Sequence, residues 1–290
     1  MAKATPGYMG PYRLLNVVHT GHACQLWQAY DDGAQRVVGV KVVTGKYVKD
    51  SEQIAYLRQE YAVGRKVVHP RIIQLYSFAR DRGTPYLAME WFPAPNLKVR
   101  IRQGVEKIAY MATQMIQQAA EGLGYFNSLG WIHRDVKPDN FLVSDDGQVK
   151  LIDFGLAIRA RQGLARLFSL KSAKRQGTPS YMSPEQIRCE KLDERTDVYS
   201  FGCVVFELLA GRPPYTGTNL NELLNKHLKA SVPALENHHN PLTAEITQLV
   251  RRCLAKDPAT RPSSLVEFLE EFRNYRVFTS PPRPPDPVAG

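Results

Sequence analysis

The chain contains no apolar run of membrane-spanning length, and its first residues lack the hydrophobic core of a secretory signal. Cysteine is scarce. Cys24, Cys189, Cys203 and Cys253 show no paired spacing, which points to a reducing compartment and a cytoplasmic location. Residues 156–184 hold Arg159, Arg161, Arg166, Lys171, Lys174 and Arg175 but no acidic residue. The stretch from His19 to Leu26 has a single glycine, Gly21. A net charge of +10 over 290 residues raises nucleic-acid or membrane-surface binding as a general class. No nucleic-acid motif accompanies that charge, and outside residues 156–184 it is scattered, so no nucleic-acid partner is expected.

Against these deficits stands a dense run, His133-Arg134-Asp135-Val136-Lys137-Pro138-Asp139-Asn140, followed by Asp153-Phe154-Gly155. It places a potential general base, a lysine and two hard oxygen ligands within 21 residues. Such groups suit movement of a phosphoryl group, whose transition state spreads negative charge over its oxygens. Between the two motifs, Phe141-Leu142-Val143 and Gln148-Val149-Lys150-Leu151-Ile152 flank Ser144-Asp145-Asp146-Gly147, and an Asp-Gly pair between β-prone runs predicts a hairpin. Folding back there brings Asn140 beside Asp153. Ordinary turn residues would explain the hairpin alone, but not Asp135 and Lys137 at these offsets.

On these residues the chain resembles the eukaryotic-type protein kinase family, its bacterial Ser/Thr branch most closely, from about Tyr12 to Arg276. The resemblance implies that Asp135 accepts the proton of the substrate hydroxyl and that Lys137 steadies the transferred phosphate. Asn140 and Asp153 would hold Mg²⁺, with Mn²⁺ as a substitute. Val38-Gly39-Val40-Lys41 resembles the family's lysine strand, so Lys41 would contact the ATP phosphates and pair with Glu60 on the next helix. That helix is expected over Ser51 to Val68, with Ile54, Leu57, Tyr61 and Val68 at roughly helical spacing. Glu52, at the helix start, suits the helix dipole better than the lysine.

The remaining carry-over concerns the nucleotide and the acceptor. Tyr86 to Phe92 reads as a buried strand ended by Pro93 and Pro95. By resemblance Met89 guards the back of the adenine pocket, backbone groups of Glu90 and Phe92 bond adenine, and Val18 and Leu142 lie above and below it. Gly39 and Leu26 complete the nucleotide-binding set with His19, Gly21 and Cys24. The family's loop there carries three glycines. Here only the middle one survives, and His19 and Cys24 are expected to hinder positive φ or close backbone approach to phosphate. Gly177 to Glu185 resembles the end of an activation segment, in which Thr178 approaches Asp135 and Arg261 ties Glu185. A phosphate on Ser172, or else Ser169, would order that segment through Arg134. Asp197 is read as both the cap of an all-round apolar helix and the anchor of the His133-Arg134 loop. The stripe Ile108, Met111, Met115, Ala119, Leu123 and Phe126 predicts a core helix ending near Leu129.

The fold expected is α+β and bilobal: a small, mainly antiparallel β lobe with one major helix over 12–92, then a larger, mainly helical lobe over 93–276. Residues 1–11 are expected to be a flexible segment and 277–290 a proline-rich tail or linker. The implied activity is transfer of the ATP γ-phosphate to protein Ser or Thr hydroxyls, with transient self-association for autophosphorylation. Every catalytic side chain is present, which favours activity. The damaged glycine loop argues for the alternative, a weak or inactive nucleotide-binding scaffold. Lys137 and the Gly177–Glu185 segment argue against a small-molecule phosphotransferase.

Overall fold

The structure is a computed structural model and describes residues 7–160 and 176–284. Ser169, Ser172 and the basic residues from Arg161 to Arg175 lie outside the described residues, as do 1–6 and 285–290. The chain divides into two compact units, one comprising Met1–Pro93 with Asp153–Leu156 and the other the remainder.

The first unit is built on β1 (Tyr8–Met9), β2 (Tyr12–Thr20), β3 (Cys24–Asp31), β4 (Arg36–Val43), α1 (Ser51–Gly64), β5 (Leu75–Asp81) and β6 (Thr84–Glu90). The strands form one antiparallel sheet in the order β1-β2-β3-β4-β6-β5. Val38, Val40 and Val42 of β4 pack with Tyr12, Ala29, Tyr86 and Ala88 into a dry core. β-branched side chains suit this half-buried, pleated surface. Asp50 caps α1 by accepting from the backbone N–H groups of Glu52 and Gln53. The helix ends at Gly64, four residues earlier than the apolar spacing suggested. Turns replace it, as Lys66 N–H bonds Val63 and Val67 N–H bonds Gly64, so Val68 leaves the helix face and is 69% exposed. Gly64 itself is a close-packing site, because a Cβ there would lie 2.9 Å from Phe154.

The second unit is mainly helical: α2 (Leu97–Arg102), α3 (Ala112–Ser128), the short strands β7 (Trp131–Ile132), β8 (Phe141–Val143), β9 (Val149–Leu151) and β10 (Ile158–Arg159), then α4 (Pro184–Ile187), α5 (Glu194–Ala210), α6 (Leu220–Lys229), α7 (Ala244–Cys253) and α8 (Leu265–Phe272). Of the apolar stripe read from the sequence, Met115, Ala119, Leu123 and Phe126 lie on α3, while Ile108 and Met111 precede it, Met111 in a separate 3-10 turn over Ala109–Met111. Helix α5 is buried along nearly its whole length and stops at Gly211, whose φ of 74° is left-handed. Its core contacts are aromatic, with Phe201 edge-on to Phe268 at 5.3 Å and to Phe141 at 6.4 Å. Gly202 sits where α5 meets α7, since a Cβ there would come within 2.7 Å of Cys253. The expected hairpin is present as β8–β9, with Phe141 opposite Leu151. Among the described residues no helix is long and apolar enough to cross a membrane.

One buried cluster ties α6 to the rest of this unit. His227 is fully buried and shares a 3.0 Å hydrogen bond with the Tyr199 hydroxyl, while Lys256 donates to the Tyr215 hydroxyl at 2.9 Å. Burial, aided by the charge of Lys256, pushes the imidazole down from 6.5 to about 4. The unfolded chain therefore takes up a proton at His227 below pH 6.5 that the native protein refuses until about pH 4. Stability is expected to fall through that window, by up to about 3 kcal/mol, and to level off below it. Urea denaturation of wild type and His227→Gln between pH 7 and pH 4 measures this. The substitution should flatten the His227-dependent part of the slope.

Candidate active site

In the first unit, Lys41 enters from the central strand β4, opposite Leu26 of β3 and Leu87 of β6. Its Nζ meets Glu60 Oε2 of α1 at 2.8 Å, and the Glu60 side chain is only 5% exposed. Burial opposes the charge on Lys41, but the carboxylates of Asp153 and Glu60 outweigh it and hold the ammonium above the ordinary lysine range. Asp153 has φ 66°, a left-handed conformation that costs a non-glycine residue free energy and recurs at functional sites. Gly39 and Met89 are cross-strand partners, and a Cβ at Gly39 would press to 3.2 Å on Met89 Cγ. Glu90 donates its N–H to the Gln74 carbonyl at 2.8 Å, fixing the end of β6 before Phe92. Val18 is half exposed on β2.

The glycine-poor loop is a tight turn between strands that run to its edges. Gly21 N–H donates to the Cys24 carbonyl at 2.9 Å. Neither His19 nor Cys24 adopts positive φ, so the conformational half of the expected hindrance does not arise. Both residues sit in strand, His19 just after a register shift that follows Val17, and neither needs a conformation closed to L-residues. The loop carries instead a feature not read from sequence. His22 and Tyr47 share a 2.6 Å hydrogen bond, with their rings 4.7 Å apart.

In the second unit, Asp135 is the hub. Its Oδ1 accepts from Thr178 N–H at 2.9 Å and from the Thr178 hydroxyl at 2.8 Å, while Lys137 Nζ lies 2.7 Å from Oδ2. Lys137 also donates to Thr178 Oγ1 at 2.9 Å. Asn140 donates Nδ2 to the Asp135 carbonyl at 2.8 Å, which leaves its Oδ1 as a hard oxygen donor of the kind Mg²⁺ takes. Its backbone carbonyl accepts from Ile152 N–H at 2.9 Å, closing the hairpin immediately before Asp153. Leu142 lies on β8, bridged to Asn96.

The loop that carries Asp135 is held from below by Asp197. This fully buried carboxylate accepts from His133 N–H at 2.7 Å, Arg134 N–H at 3.0 Å and Asn127 Nδ2 at 2.8 Å. Burial pushes its carboxyl up, opposed by His133 and these donors. The helix cap is Asp193, whose side chain accepts from Arg195 N–H, while Asp197 lies inside the first turn and serves only as the anchor. Arg134 has φ 69°, and its carbonyl accepts from Gln186 Nε2 at 2.8 Å. Its guanidinium bonds the Gln176 side chain. Gly177 must be glycine-like, with φ 118° and a Cβ position 2.8 Å from the Arg134 carbonyl. Arg261 holds Glu185 through two bonds of 2.8 and 3.0 Å, with no exposed guanidinium surface. Gln186 and Asn127 were not singled out from sequence. An amide in a helix carries no signal of which distant carbonyl or carboxylate it will meet.

The chain belongs to the protein kinase domain family, whose model matches residues 12–273. It is 31% identical over 262 residues to a probable serine/threonine-protein kinase of Streptomyces coelicolor, covering 89% of this chain and 39% of that protein. It is 30% identical over 280 residues to the serine/threonine-protein kinase PknA of Mycobacterium tuberculosis, covering 95% and 63%. The kinase PknB of Mycolicibacterium smegmatis is 30% identical over 285 residues, covering 97% and 45%. The chain thus spans less than two thirds of the length of each of these relatives.

Replacing Asp197 by Ala leaves two backbone N–H groups and the Asn127 amide without their buried acceptor. The expected loss is about 2–4 kcal/mol, read by urea denaturation. A loss under about 0.5 kcal/mol would mean the loop is held by other contacts.

Proposed function

We propose that the chain is a serine/threonine protein kinase that transfers the γ-phosphoryl group of ATP to protein hydroxyls. The observation that carries this reading is the convergence of Lys137 and Thr178 on the Asp135 carboxylate. Thr178 presents a hydroxyl to Asp135 at 2.8 Å, the reach a general base needs toward an acceptor hydroxyl. In the reaction the acceptor oxygen forms a bond to the γ-phosphorus as the bond to the β,γ-bridging oxygen breaks. The hydroxyl proton goes to Asp135, and phosphoserine or phosphothreonine and ADP result. Lys137 offers a fixed cation to the phosphoryl oxygens, and Lys41, held charged by Glu60 and Asp153, offers one to the ATP phosphates.

The family works with ATP and a divalent cation, and here the ion is proposed to be Mg²⁺, with Mn²⁺ as a substitute. Asn140 and Asp153 would each supply a hard oxygen, and the bound ion would neutralise phosphate charge. Adenine would be bonded by backbone groups of Glu90 and Phe92, with Val18, Leu26, Gly39, Met89 and Leu142 supplying apolar surface. The kinase domain, expected over 12–276, is assigned to 8–279, because β1 pairs with β2 at one end and Val277 and Phe278 are buried at the other. There Thr243 N–H bonds the Val277 carbonyl and Thr279 N–H the Pro241 carbonyl. The flexible segment expected over 1–11 and the proline-rich tail or linker expected over 277–290 are corrected to that extent. Autophosphorylation on Ser172, or else Ser169, through transient self-association belongs to the same reading, with Arg134 as one phosphate partner.

Purified protein with radiolabelled ATP, Mg²⁺ and a generic protein substrate is expected to label that substrate, and Asp135→Asn to lower the rate about 10²–10⁴-fold. Mass spectrometry of the same wild-type reaction should find phosphate on Ser172, or else Ser169. Equal labelling by both proteins, or none by either, rejects the enzyme and favours the nucleotide-binding scaffold that the glycine-poor loop suggests. The loop has its own test. Restoring glycine at His19 and Cys24 removes side chains between backbone and phosphate and should lower the KM for ATP a few-fold with kcat little changed. An unchanged KM would show that the turn at Gly21 approaches phosphate by another geometry.

A further inference from the structure

A donor in the core of the second unit has no acceptor. His227 of α6 is fully buried, and its Nε2 makes no hydrogen bond. Its neighbours fix where the ring's proton sits. Lys256 directs its three N–H groups to the hydroxyls of Tyr199 at 3.5 Å and Tyr215 at 2.9 Å and to the Lys226 carbonyl at 3.3 Å. A Tyr199 hydroxyl that accepts from Lys256 has its own hydrogen free for His227 Nδ1, 3.0 Å away. Nδ1 is therefore the acceptor. Burial keeps the ring neutral down to about pH 4, so its single hydrogen is on Nε2.

That N–H points to the acceptor side of the site. The backbone of Ser180 lies close enough to favour the protonated ring, yet no bond is closed. Ser180 is the middle residue of the 3-10 turn Pro179–Tyr181, which follows Thr178, the residue on Asp135. The carbonyls on either side of it are held: Tyr181 accepts from the Ser200 hydroxyl at 2.7 Å, and Pro179 from Met182 N–H at 3.5 Å. Helix α6 also packs Leu224 against Met182 and Ile187, just beyond the turn. It thus reaches this segment at two points, one apolar and complete, the other polar and open. A buried N–H without a partner costs stability, and its retention in a native fold calls for a use. We propose that His227 is a positioning residue for the protein acceptor: its Nε2–H closes on the Ser180 carbonyl when a peptide occupies the turn and opens when the turn is empty. A bond made only in the complex adds to acceptor affinity and leaves nucleotide binding alone.

This deepens the kinase reading and rests on it. The probe is the peptide that wild type labels fastest in an array of Ser and Thr peptides. His227→Phe keeps an aromatic ring without a donor. It should raise the peptide KM about three- to tenfold, the worth of one hydrogen bond, with kcat and the KM for ATP little changed. His227→Gln offers an amide N–H in its place and should restore most of the peptide affinity. A residue that only props the core would lower the melting temperature of both variants without separating the two KM values. A folded His227→Phe with unchanged peptide KM therefore overturns the proposal, as does one in which the KM for ATP rises equally. Wild type gives an independent reading by NMR with isotope-labelled histidine. The Nε2–H resonance that is absent from His227→Gln should move downfield when the same peptide, its acceptor replaced by alanine, saturates the enzyme. An unmoved resonance overturns the proposal even where the phenylalanine variant does not fold. Absence of transfer by wild type to every peptide and to a generic protein rejects the kinase reading itself, and this inference with it.

Discussion

The second unit depends on a carboxylate at the floor of its site. Asp197 sits on a helix buried on almost every side, and that burial makes it useful. Packing fixes α5, so the carboxylate fixes the two N–H groups it accepts, and they place Asp135. The strained φ of Arg134 is affordable only where several bonds over-determine it. Asp197 supplies one from below and Gln186 another from the side.

A similar logic governs the acceptor side. Glu185 and Arg261 form a bidentate, desolvated pair, and Arg261 spends its other donors on the carbonyls of Ala255, Arg195 and Lys256. Buried ion pairs add little net stability over an apolar replacement, but breaking one is costly. Such a pair is a positioning device. It fixes the segment of Ser183, Glu185 and Gln186, and Gln186 in turn holds the backbone of both Arg134 and Gln176. Thr178, between Gln176 and this anchored turn, has little freedom except toward Asp135.

Much of this was legible in the sequence, for reasons that separate cleanly. Short-range chemistry carried the β8–β9 hairpin, because Asp-Gly acts through local backbone preference. Lys41–Glu60 and Glu185–Arg261 were named through family resemblance, since nothing local announces a partner 19 or 76 residues away. What escaped was of two kinds. The end of α1 was misplaced because Val68 continues an apolar rhythm that the turns at 63–67 interrupt, and periodicity does not see hydrogen bonds. His227–Tyr199–Lys256, His22–Tyr47 and Asp193 as the true cap depend on which face of one element meets another. Asp193 and Asp197 are chemically equal candidates until the first turn of α5 is seen.

The glycine-poor loop then has a physical place. On the proposed kinase reading charge is what the reaction demands, and the side chains that would supply it or hold the cation are fixed by contacts that do not involve residues 19–24: Lys41 by Glu60, Lys137 by Asp135 and Thr178, and the neutral amide of Asn140 by the Asp135 carbonyl. On that reading the loop would contribute backbone approach, acting on a bound nucleotide before and during the reaction alike. An interaction felt equally in ground and transition states changes substrate affinity rather than the chemical step. On the proposed reading, then, the two missing glycines would bear on how tightly nucleotide is held, and the constellation around Asp135 on whether it reacts.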